Sequence, residues 1–249
     1  MSDLFLLSVN ELSESISSRK ISPIDLYNTF AQRIEKFNSK LNCFIEVFDD
    51  WKTKAEIAEK EIFDGKIRGP LHGIPIAVKD LINVEGKVTT AGSKILINNQ
   101  ANESAVIISA LETAGAIIIG KTSLVEFALG PHGINSSFPQ TKNPWDLTRI
   151  PGGSSSGSAC AVASFLCPIA VGSDTGGSIR MPSSFCGVTG FKPSFNKLST
   201  SGVFPLSWSL DTIGPIAKTA KDCSIFVEEI CKYQIANKNK DPFNGLTTS

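Results

Sequence analysis

Two serine-glycine clusters stand close together in the stretch GGSSSGSACAVASFLCPIAVGSDTGGSIR, residues 152–180. Such composition serves as a linker, as a backbone cradle for a phosphate, or as the surroundings of a serine nucleophile. A linker does not carry an apolar run such as ACAVASFLCPIAV between its halves, so packed structure must hold both clusters. Tightly turned backbone beside a core leaves amides that need partners, which suits an anion or oxyanion pocket.

A serine nucleophile needs a base to take its proton. GSSSG, residues 153–157, satisfies the G-x-S-x-G elbow with Ser155 at its centre, but that fold needs a histidine after the serine. The two histidines, His72 and His132, both precede it, so the elbow is rejected. The remaining bases are lysine, a carboxylate or tyrosine. Lys79 stands out because it closes GIPIAVKD, where Ile74, Ile76, Ala77 and Val78 read as a buried strand. Desolvation there favours the neutral amine. The residues alone leave a second reading open, in which Lys79 snorkels at a strand end or pairs with Asp80.

Other pattern matches carry less. GAIIIGKT, residues 115–122, satisfies the phosphate-loop pattern, yet its β-branched middle has the composition of a buried strand, with Lys121 and Thr122 expected to start the following turn. Two S-x-x-K matches, Ser17 to Lys20 and Ser194 to Lys197, read as chance occurrences in a surface helix turn and a loop.

The elements that would position these residues alternate between strand and helix. Ser22, Pro23 and Asp25 have the order of an N-cap, a first-turn proline and a third-position acid, and Leu26, Phe30, Ile34 and Phe37 follow at helical spacing. AEIAEKEIFDGK reads as a surface helix, GIPIAV as a strand, SAVIISALETAGA as a helix ending near Gly115, and AIIIG as a second strand. ACAVASFL (helix), PIAVGS (strand), SIRMPSSFCG (helix turn), VTGFKP (short strand) and a helix from Thr219 to Tyr233, with Asp222 at its third position, complete the order. This alternation predicts an α/β fold with a parallel or mixed sheet between helices. Residues 1–233 are expected to form one domain, and the polar residues 234–249 a tail or linker.

Composition narrows the partners. Among 249 residues, 24 basic side chains cancel 24 acidic ones, so no net field favours nucleic acid or an anionic membrane surface. No apolar run is long enough to cross a bilayer, and the amino terminus lacks a basic leader and a cleavage site. Six cysteines without a C-x-x-C pair point to a reduced, cytoplasmic protein, and two isolated histidines argue against a metal centre.

GPLHGIPIAVKD, PGGSSSGSACAVA, GSDTGGSIRMPSSFCGVTGFKPS and SLDTIGPIAKT occur in the order and spacing of the amidase signature family. The resemblance runs from about residue 20 to 231 and is to the amino-terminal half of that family only, so the fold is expected to be cut short at its carboxyl end. It implies a mixed β-sheet sandwiched by helices and a cofactor-free Ser-cisSer-Lys hydrolase acting on a small-molecule amide.

Carried over residue by residue, the resemblance makes Ser178 the nucleophile, Ser154, after a cis peptide bond, the proton relay, and Lys79 the base. It also makes the amides of Thr175, Gly176, Gly177 and Ser178 the oxyanion hole, and 127–133 a pocket-lining loop. Asp174, Arg180, Ser155, Ser156 and Ser173 are expected to brace the site rather than react.

Met181 and PLSWSLDTIGP resemble general amidases more than the A-type subunit of the glutamyl-tRNA amidotransferase. Hydrolysis is therefore the preferred expectation. The alternatives are that A-type subunit, with amidotransferase partners of B and C type, or an inactive fragment or half of a split enzyme. Under hydrolysis the chain acts alone or as a homo-oligomer.

Overall fold

The structure, a computed structural model, describes residues 4–237. Among them, seven α-helices and six strands follow in the order α1 (Val9–Ser17), α2 (Pro23–Leu41), β1 (Phe44–Val47), α3 (Trp51–Phe63), β2 (Pro75–Lys79), α4 (Val106–Thr113), β3 (Ile117–Thr122), α5 (Ser156–Ala163), β4 (Ile169–Asp174), α6 (Arg180–Cys186), β5 (Thr189–Gly190), β6 (Thr212–Ala217) and α7 (Ala220–Ala236). The expected capping of α2 is present: the Ser22 hydroxyl accepts from the Asp25 N–H, and the Asp25 carboxylate accepts from the Ser22 N–H. Thr219 caps α7 by accepting from the Asp222 N–H.

The sheet order is β1-β3-β2-β4-β6-β5. The three inner strands β3, β2 and β4 are parallel, and antiparallel pairs flank them on both sides. All residues of β2, β3 and β4 are buried, which explains their continuous apolar character in sequence. The crossover from β2 to β3 runs one way along the sheet and that from β3 to β4 runs the other. Right-handed connections therefore place α4 and α5 on opposite faces. α7 joins α4 and α6 joins α5, so helices cover both faces, as expected.

Three elements depart from the sequence expectation. β1 is a four-residue edge strand, too short to show a period, with its register shifted between Phe44 and Glu46. β6 is not among the expected elements, and it contains Gly214-Pro215. Its proline is tolerated because the Pro215 carbonyl faces Phe191, just past the two-residue β5, so the missing N–H falls where the ladder ends. Lys121 and Thr122 belong to β3 rather than to a turn after it. Lys121 stays in the strand because its ammonium is met by Asp80 at 3.5 Å, the Ile82 carbonyl at 2.5 Å and the Thr89 hydroxyl at 3.0 Å.

The helix at the carboxyl end continues past Tyr233 to Ala236, and most of the expected tail, residues 238–249, lies outside the described residues. All six cysteines are free thiols, five of them buried. Among the described residues no helix is long and apolar enough to cross a membrane.

Candidate active site

Parallel strands aim their carboxyl ends at one edge of the sheet, and the loops leaving those ends collect the chemistry-bearing residues. Lys79 ends β2 and Asp174 ends β4, and these strands are neighbours. The loop before α5 brings the first serine cluster to the same edge.

Lys79 is fully buried, and its Nζ lies 2.7 Å from Ser154 Oγ and 2.8 Å from Ser173 Oγ. Burial depresses its pKa to about 7, against the raising influence of Asp174 and then Asp211. The alternative reading of Lys79, a snorkelling strand end or a partner of Asp80, does not hold, because Asp80 pairs with Lys121 instead.

The Gly153–Ser154 peptide bond is cis. Ser154 is fully buried, and its carbonyl accepts from the Val125 N–H at 3.2 Å. The small residues of α5 follow from a close approach: a Cβ on Gly157 would lie 2.3 Å from the Cys43 carbonyl oxygen and 2.4 Å from the Ser123 nitrogen. Only glycine lets the helix sit near enough to set Ser154 beside Lys79.

Ser178 occupies the turn from β4 into α6, and its carbonyl accepts from the Ser155 N–H at 3.2 Å, which ties the two serine clusters together. The Ser155 hydroxyl in turn donates to the Ser173 carbonyl and accepts from the Ser173 N–H. The turn itself is held by Asp174, whose buried carboxylate accepts from the Ile179 and Arg180 N–H groups and from the Arg180 guanidinium at 2.9 and 3.1 Å. Burial opposes the charge on Asp174, but Arg180 and the two amides hold its pKa below the ordinary carboxylate value. Gly177 has φ +137°, a conformation that favours glycine, and Gly176 is exposed with open space where a Cβ would point. Among the described residues, nothing accepts a hydrogen bond from the N–H groups of Gly176, Gly177 or Ser178.

The structure therefore joins Lys79 to Ser154 directly and joins Ser178 to them through Ser155. It also lays Thr175, Gly176, Gly177 and Ser178 out as one turn, with Asp174 and Arg180 bracing it. Among the described residues, no side-chain hydrogen bond of Ser156 enters the group. Ser173, expected only to brace, lies on Lys79 because adjacent parallel strands bring the two side by side. His72, before the amino end of β2, is at the other end of the sheet from Lys79.

Comparison with known proteins gives the family. The family model described as Amidase matches residues 25–248. The chain belongs to the amidase family. Among curated amidase-family relatives, the A-type subunit of the glutamyl-tRNA(Gln) amidotransferase from Aromatoleum aromaticum is 46% identical over 217 residues, 87% of this chain and 44% of the relative. Among solved structures, the native peptide amidase from Stenotrophomonas maltophilia superposes with a TM-score of 0.86 at 35% identity, covering 90% of this chain and 48% of that one. The corresponding amidotransferase protein from Thermotoga maritima gives a TM-score of 0.78 at 36% identity, covering 92% and 48%. The chain spans about half the length of these amidase relatives.

Proposed function

We propose that this chain carries the reacting half of an amidase that cleaves a carboxylic amide C–N bond through an acyl-enzyme on Ser178. The observation that carries the reading is the 2.7 Å contact between Ser154 Oγ and a Lys79 amine whose pKa burial lowers to about 7. A lysine so placed is a proton acceptor near neutral pH.

In this reading Ser178 Oγ attacks the amide carbonyl carbon and passes its proton to Ser154, which passes its own to Lys79. The carbonyl oxygen gains negative charge and settles on the uncommitted amides of Gly176, Gly177 and Ser178, with Thr175 completing the turn. Lys79 then returns the proton through Ser154 to the leaving nitrogen. The C–N bond breaks, and ammonia or an amine departs. Water repeats the sequence on the ester, releasing the carboxylic acid and restoring Ser178. No cofactor enters. The partner is a small-molecule amide, and neither nucleic acid nor membrane is required.

A second reading is favoured by the relatives that serve as A-type subunits of the glutamyl-tRNA(Gln) amidotransferase. There the amide is glutamine and the released ammonia goes to a tRNA-linked substrate in a complex with B- and C-type subunits. Glutamine turnover that appears only in the presence of those partners selects this reading.

Intact-mass analysis after treatment with a fluorophosphonate tests the shared chemistry. One adduct on the unmutated chain and none on Ser178→Ala is expected. No adduct on a soluble, cooperatively folding chain refutes the assignment for this chain alone and points to half of a split enzyme or an inactive fragment.

A further inference from the structure

Asp211 lies outside the groups assigned so far, in the turn just before β6, yet it touches the candidate site at Thr175. Its Oδ1 accepts from the Thr175 hydroxyl at 2.5 Å, and its Oδ2 accepts from the Leu206 and Ser207 N–H groups at 2.8 and 3.0 Å. Asp211 N–H also donates to the Ser207 carbonyl, so the 206–211 turn is closed around the same residue. Register fixes this placement, because Thr212 pairs with Asp174 across β4 and β6, setting residue 211 beside residue 175.

We propose that Asp211 is a positioning residue that clasps Thr175, and with it the glycine turn leading to Ser178. The proposal rests on the amidase reading above, and it adds a residue that acts through others rather than on substrate.

The charge of the same carboxylate gives a second readout at Lys79. Asp174, at the end of β4 and paired with Arg180 of α6, and Asp211 are the carboxylates whose charge favours its ammonium form. The Asp80–Lys121 pair sits at the register of Val78, whose side chain alternates to the other face from Lys79, and its two charges offset each other. Removing the Asp211 charge therefore favours the neutral amine, and the acid limb of any reaction that needs neutral Lys79 moves to lower pH. Removing the Thr175 hydroxyl breaks the clasp and leaves that charge in place.

Asp211→Asn keeps an acceptor for the two amides and loses the charge, whereas Thr175→Val keeps the charge and loses the clasp. Lys79 is followed by carbon NMR at Cε, assigned by the signal that Lys79→Met lacks, alongside the pH dependence of fluorophosphonate labelling. In Asp211→Asn the Lys79 titration is expected to move down by about 0.5 pH unit or more. In Thr175→Val labelling is expected to slow about tenfold with the titration unmoved. Labelling of Thr175→Val within about twofold of the unmutated chain overturns the inference. If Asp211→Asn does not fold, Thr175→Val decides the clasp by itself. An unmutated chain that takes no label refutes Ser178 as nucleophile instead, and amide hydrogen exchange at Gly176 and Gly177, faster in Thr175→Val if the clasp holds the turn and unchanged if it does not, still decides the inference.

Discussion

Replacing Lys79 by methionine separates what the site costs in stability from what it gives in reactivity. A lysine with an ordinary pKa of 10.5 is brought to about 7 by complete burial. At about 1.4 kcal/mol per pH unit, that gap amounts to about 5 kcal/mol of disfavoured charge. Below pH 7 the lysine is protonated in both the folded and the unfolded chain, and its contribution to stability does not change with pH. Between pH 7 and 10.5 the unfolded chain holds a proton that the folded chain has released, so stability rises with pH, by about 1.4 kcal/mol per unit. Above 10.5 the two states match again.

Lys79→Met lacks this proton, so the stability of the unmutated chain should gain on the variant by about 5 kcal/mol across that window, while every other titrating group cancels in the difference. At pH 7 the variant escapes the penalty but leaves the Ser154 and Ser173 hydroxyls without their amine, at about 1–3 kcal/mol each, so the absolute difference there is small. Urea unfolding of both chains at half-unit intervals from about pH 6 to about pH 10 reads the slope directly. A difference that is flat with pH refutes the buried neutral amine. Labelling should meanwhile be lost in the variant, because neutral Lys79 is about half populated at pH 7 against about one in 3,000 for an unperturbed lysine.

Three further substitutions probe how the fold holds the site. Gly157→Ala puts a methyl 2.3 Å from the Cys43 carbonyl oxygen, and a loss of at least about 2 kcal/mol in urea unfolding is expected, with labelling reduced because Ser154 moves with α5. Lys121→Met strands Asp80, which is almost completely buried, and should cost about 3 kcal/mol or more; adding Asp80→Asn should recover part of it, and a second loss of the same size would show that the two residues are not coupled. Ser22→Ala removes the cap of α2 far from the site, so thermal unfolding should report about 1 kcal/mol of destabilisation with the labelling rate unchanged.

Much of the site is local in sequence. Lys79 stands out because four apolar neighbours announce a buried strand, and burial alone is enough to turn a lysine into a base. The turn SDTGGS stands out because glycine is the residue that accepts the backbone of Gly177 and leaves the open space beside Gly176. The order of the long motifs supplied the family, and strand-helix alternation supplied the fold class.

What local pattern could not supply was contact across the sheet. Ser173 and Lys79 are 94 residues apart and meet because β2 and β4 are neighbours, a pairing that periodicity does not encode. Lys121 reads as the start of a turn until its partners Asp80, Ile82 and Thr89 are in place to meet a buried ammonium. β6 hides behind Gly214-Pro215 until the shortness of β5 makes the missing N–H harmless. Asp211 is an ordinary acid in SLDTIGP until the register of β4 against β6 sets it beside Thr175. Residue type and neighbours along the chain thus marked the candidate reacting groups, since apolar patterning and backbone freedom are local properties. Which of them meet was decided by tertiary structure alone, because strand order and register depend on packing between segments far apart in the chain.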